Sequence, residues 1–188
     1  MIPPANTLRK KLPVRIAILV ALLPTIAIAE PAAHKTTEVI ESLPLWEAEV
    51  KIGYGITQAT EEGMSHTHKG PLLFSALGAV AVNDDPHVYA VGGLVGQAMD
   101  RTSIGVSAGA RLVVPGTPVR LTGQGVWMVA PKTLWGATAS GGACVGKGSL
   151  GLCADVAVTA YVAGTALPKD ELELQVAFLL GVVARGGN

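Results

Sequence analysis

The chain has 188 residues, with 14 Lys+Arg against 14 Asp+Glu, 23 glycines, and 15% charged against 49% hydrophobic residues. That composition is too apolar for a disordered chain, and without a basic surplus it gives no reason to expect a nucleic-acid partner. The length suits one domain preceded by a short leader.

The leader comes first. Arg9, Lys10, Lys11 and Arg15 form a basic start, an apolar stretch runs over 16–28, and Ala27-Ile28-Ala29 precedes Glu30. This is the A-x-A pattern of a cleavable secretory signal peptide, so 1–29 is expected to be removed on export. Pro24 interrupts the apolar stretch, which is shorter than the roughly 20 residues of a membrane-spanning helix. Cleavage takes four basic residues and no acid, leaving a mature net charge of −4. Residues 30–43 are polar and mixed, and are expected to form a periplasmic extension before a domain over 44–188.

From residue 44 the hydrophobic period is close to two, the signature of strands. In the first segment Trp46, Ala48, Val50, Ile52, Tyr54 and Ile56 share one face, and Glu47, Glu49, Lys51, Gly53, Gly55 and Thr57 share the other. A strand separates these sets, whereas a helix mixes them. Segments 71–82 and 87–99 follow with weaker contrast, because glycine and alanine occupy both faces. Segment 101–114 alternates cleanly, 119–129 and 133–146 less so, and 150–163 and 171–183 cleanly again. Turn residues fall between them at 83–86, 100, 115–118, 131, 148–149 and 164–170. The longest connection expected is 58–70 (QATEEGMSHTHKG). Eight strands with short links predict an all-β, antiparallel up-and-down barrel.

Cys144 and Cys153 test that reading. An exported protein meets an oxidising compartment, so a disulfide is permitted. A two-residue type II′ turn at Gly148-Ser149 places Cys144 opposite Cys153, at a non-hydrogen-bonded pair where side chains approach most closely. The same register puts Gly142 opposite Asp155, Gly136 opposite Tyr161, and Trp135 opposite Val162. There is no C-x-x-C, so the bond is expected to pin the hairpin rather than to do redox chemistry.

Which face lies inside decides the environment. The segments match the roughly 9–11 residues of a tilted membrane strand. The polar face is rich in Gly, Ser, Thr and Ala, as a crowded eight-stranded lumen requires. The apolar face carries very few charges, as lipid contact requires. On this pattern residues 44–185 resemble the small eight-stranded outer-membrane β-barrels, the OmpA/OmpX-like group. The resemblance implies a lumen plugged by a polar network, and the matching residues are Glu47, Glu49, Lys51, Arg111, Arg120, Gln124, Asp155, Glu173 and Gln175. It also implies a monomer in contact with outer-membrane lipid in a Gram-negative bacterium, with a structural or surface-interaction role and no enzymatic one. In that family the last residue is usually aromatic, whereas this sequence reads Ala184-Arg185-Gly186-Gly187-Asn188. Its aromatic side chains are also few for two complete interfacial belts.

Two other readings remain open. The first is a soluble periplasmic or secreted barrel or sandwich that binds an apolar ligand, with Val106 and Val176 packed inside. The second is a lipid-modifying barrel enzyme, which needs a serine, a histidine and a carboxylate together at one rim. His87 is the only histidine expected on a strand, and no G-x-S-x-G elbow occurs. His66 and His68 form an H-x-H pair that could offer two ligands to a borderline divalent metal. Two ligands make an incomplete site, so a solvated loop is the expectation there. No catalytic residue and no cofactor is assigned, and the sequence identifies no protein partner.

Overall fold

The computed structural model describes residues 44–61, 64–82, 85–99, 102–165, 167 and 172–187. The predicted leader (1–29) and extension (30–43) lie outside them. The strands are β1 (Trp46–Glu61), β2 (Met64–Val82), β3 (Asp85–Ala98), β4 (Ser103–Val113), β5 (Val119–Ala130), β6 (Leu134–Lys147), β7 (Leu150–Gly164) and β8 (Glu173–Gly186). Each pairs antiparallel with its neighbour in sequence, and β8 pairs with β1 to close the barrel. Closure leaves no free edge around the wall, which removes the usual hazard of an exposed strand.

The register fixes the shape. Starting at Trp46 and stepping from partner to partner through Val80, Ala90, Ala110, Gly123, Ala139, Val158 and Val176, the path returns to β1 at Ile56, ten residues further along. A stagger of ten over eight strands corresponds to a tilt of about 40°. A strand then climbs about 2.5 Å along the barrel axis per residue. The end that carries Trp46 and the Gly148-Ser149 turn is called the lower end.

That turn forms as its chemistry requires. Gly148 has φ +66° and Ser149 is not in the positive-φ region, which matches type II′. Cys144 and Cys153 pair directly, with Cα atoms 4.1 Å apart and the disulfide formed. The Cys144 N–H points away from β7 and donates to the Pro118 carbonyl at 3.1 Å, as expected of a non-hydrogen-bonded pair. The register differs from expectation at one place. A bulge between Trp135 and Gly136 moves Trp135 opposite Ala163 instead of Val162, while Gly136 stays opposite Tyr161.

Within the expected loop 58–70, residues 58–61 and 64–70 are strand. β1 and β2 continue as a hairpin from Ile56↔Lys69 to Glu61↔Met64, past a bulge between Tyr54 and Ile56. His66 and His68 therefore also lie on a strand, and their side chains are outside the described residues. This hairpin escapes a hydrophobic-period reading because both of its faces are polar, so no alternation marks it.

The distribution of side chains is inverted relative to a water-soluble protein. Glu47, Glu49, Lys51, Arg111, Arg120 and Asp155 are buried inside the barrel. Ile52, Ile56, Val106, Leu121, Trp127, Val156, Val176, Phe178 and Leu180 are exposed on the outside. Val106 and Val176, which a soluble barrel would pack within, are 43% and 41% exposed.

The tilt also sorts the outer aromatic rings. Tyr54, Phe74, Phe178, Trp127 and Trp135 come to lie between roughly 17 and 26 Å above Trp46 along the axis. Trp127 and Trp135 stack there, with ring centroids 4.6 Å apart. The rings too scarce for two belts are thus gathered mainly into one, with Trp46 at the opposite margin.

Candidate functional site in the barrel lumen

The lower half of the lumen holds a network of charges. Alternation sends Glu47, Glu49 and Lys51 inward from β1, Arg111 from the end of β4, Arg120 from the start of β5 and Asp155 from β7. The barrel's curvature brings these four strands to a common centre. Glu49 is the hub, accepting from Lys51 at 2.8 Å, from Arg120 at 2.7 Å, and from Arg111. Arg111 also donates to Glu47 at 2.6 Å and, through Nε, to the Thr122 hydroxyl at 3.2 Å. Arg120 meets Asp155 at 2.9 Å, and Lys51 meets the same carboxylate at 3.2 Å. Three acids and three bases thus balance within one buried group. Arg185 joins Glu47 at 3.0 Å from the lower mouth, where its side chain is 26% exposed.

Two glycines make room for this network. A Cβ on Gly142 would run into the Asp155 carboxylate and the Ala154 carbonyl, and one on Gly181 would meet the Lys51 side-chain stem and the Val50 carbonyl. Glycine is the only residue that lets the partner strand's long side chain cross at these points.

The remaining expected lumen residues lie higher and apart from the charges. Gln175 donates to the Thr57 hydroxyl at 3.3 Å, and Gln97 donates to the Tyr161 hydroxyl at 2.6 Å and to Gln175 at 3.5 Å. Gln124 donates to Ser107 at 3.3 Å, and Glu173 is buried near the upper end, opposite Tyr161. Val126, Met128, Leu134 and Tyr161 form an apolar cluster at this level, with Leu167 packed against it. The disulfide lies inside the lower lumen against Val183.

Sequence reasoning missed Arg185, Gln97 and Tyr161 as members of the inner network. Their signal was parity. Arg185 continues the series Glu173, Gln175 and Ala177, Gln97 continues Tyr89 and Val91, and Tyr161 continues Asp155 and Thr159. His87 lies half-buried at the lower end of β3. Among the described residues no group of three or more His, Cys, Asp or Glu side chains could hold a metal.

The architecture is a closed, eight-stranded, antiparallel up-and-down barrel. Solved structures with a similar course include Ail, the attachment invasion locus protein of Yersinia pestis, in complex with the heparin analogue sucrose octasulfate. It is 14% identical, with TM-score 0.45, covering 73% of this chain and 98% of Ail. Neisserial surface protein A (NspA) is 11% identical, with TM-score 0.45, covering 74% of this chain and 96% of that one. The likeness is one of chain course alone. No protein-family model and no curated protein matches the sequence.

Proposed function

We propose that this chain is an integral outer-membrane barrel of a Gram-negative bacterium, monomeric, with a closed charged lumen and a non-enzymatic structural or surface-interaction role. One observation carries the reading: large apolar side chains cover the outside of a closed barrel whose inside is charged. In water such an exterior would exceed by far the few hundred Å² of contiguous apolar surface that monomers usually expose. In lipid it is the required surface, and the spacing of Trp46 from the upper aromatic rings suits an apolar band about 25 Å tall. The closed wall also satisfies the backbone without water.

The lumen supports a plug rather than a pore. An eight-stranded barrel is narrow enough for side chains to fill, and here the charges of opposite walls are bonded across the bore. The short Gly148-Ser149 hairpin and the start of β1 share the lower end, the periplasmic side in this reading. The β1–β2 hairpin stands at the other end, facing the medium.

Cell fractionation tests the proposal. Recovery in the carbonate-washed outer-membrane pellet, with a gel mobility that changes on boiling, is the expected result. Recovery in the soluble periplasmic fraction would overturn it.

A further inference from the structure

The Cys144–Cys153 bond lies on the inner side of the wall. Cys144 is 6% exposed, Cys153 is 4% exposed, and the fully buried Val183 packs with them. Asp155 is the next inward residue up β7, and Lys51 and Arg120 hold its carboxylate. Cys153 pairs with Gly181 of β8, the glycine that the Lys51 stem crosses. The charged floor therefore covers the bond from above. Eight strands leave an interior only wide enough for side chains.

Thiol–disulfide exchange has a strict geometric demand. A thiolate must touch a sulfur and pass through a mixed disulfide. The reactive cysteine of a second protein meets no obstacle on an open chain, but it has no room to enter this bore. The pair itself is ready before the wall is complete. Cys144 and Cys153 are separated by 9 in sequence and form the fourth pair from the Gly148-Ser149 turn. Closure instead needs the two ends of the domain, with Trp46 opposite Gly186. A local hairpin forms faster than such a non-local pairing.

We infer that this chain is a substrate of a dithiol–disulfide oxidoreductase in the compartment to which it is exported, and that oxidation of the β6–β7 hairpin precedes closure of the barrel, which then seals the bond. One cysteine thiolate attacks the oxidant's disulfide to form a mixed disulfide. The other displaces the oxidant's sulfur, closing Cys144–Cys153. Two electrons and two protons pass from the chain to the oxidant, which leaves as its dithiol. The partner rests on the proposed export. The order of events rests only on the inside of the wall, so the purified chain tests it whatever fractionation of the cell gives.

The reduced chain is exposed to a strongly oxidising dithiol–disulfide oxidoreductase in two states, freshly diluted from urea without detergent and folded in detergent micelles. Free thiols are counted by the gel shift of a polymer-linked maleimide after denaturing quench. The folded barrel should be oxidised at least about 100-fold more slowly, because exchange waits for the wall to open. In the reverse reaction, with the bond formed and reduced thioredoxin added, the folded barrel should be reduced more slowly than the open chain by at least about the same factor. A reduced chain that does not fold at all supports the same order, and the reverse reaction then decides whether the bond is sealed. A smaller ratio in either direction would overturn the inference.

Discussion

Replacing Glu49 by glutamine removes one charge from the hub of the lumen and barely changes its volume. Lys51, Arg111 and Arg120 all bond to this carboxylate, whose residue is 3% exposed. After the change the three buried bases face only Glu47 and Asp155. Breaking one member out of a buried ionic group typically costs about 3–5 kcal/mol, because an uncompensated charge is left without solvent. That amounts to roughly two to four powers of ten in the folding equilibrium. Denaturant unfolding in detergent micelles, followed by tryptophan fluorescence, measures it. The companion Glu49→Gln/Arg120→Gln is the stricter test. It leaves Glu47 with Arg111 and Lys51 with Asp155, two balanced pairs. The double variant should therefore be less destabilised than the two single costs added, by at least about 1 kcal/mol, as expected of residues in one network. Additivity within about 0.5 kcal/mol, or a Glu49→Gln cost below that figure, would refute the view that these charges act as one neutral unit.

Val156→Arg, on the outer wall, should cost about 2–4 kcal/mol in bilayers if that wall meets the lipid midplane, against no more than about 0.5 kcal/mol for an ordinary water-facing site. Equilibrium unfolding in liposomes separates the two. Cys144→Ser/Cys153→Ser should lower stability by about 2–3 kcal/mol, since the bond closes a short loop of sequence separation 9. Denaturant midpoints with and without reductant report that loss. A matched glycine pair tests the packing of the wall. Gly93→Ala would drive a Cβ into the Ala76 carbonyl and should abolish the heat-modifiable folded band, whereas Gly123→Ala meets nothing within 4 Å and should leave that band unchanged.

Parity was the most legible feature of the sequence. A period of two placed Glu47, Glu49, Lys51, Arg111, Asp155, Glu173 and Gln175 on the polar faces of their strands, because side chains of a strand alternate whatever the tertiary fold. The same rule was silent wherever its contrast vanished. In 58–70 both faces are polar, so the extension of β1 and β2 read as a loop.

Local chemistry settled one hairpin from its turn as far as Gly136 and Tyr161. Gly148 permits the positive φ of a two-residue turn, and the turn fixes every pair up to Cys144 and Cys153. What parity and turns could not supply was which inward residues would meet. Glu49 and Arg120 are 71 residues apart, and they touch because a ten-residue stagger over eight strands sets their heights and the closed wall sets their distance. The same stagger sets Gln97, Tyr161 and Gln175 above the charged floor. The bulge at Trp135 moves one residue of register and leaves the consecutive residues Val162 and Ala163 both exposed, which alternation alone does not give. The sequence thus determined which face is polar in the cleanly alternating strands β1, β4, β7 and β8. Only closure of the barrel decided that those charges neutralise one another across the bore, because pairing between opposite walls depends on tilt and stagger, which no single strand encodes.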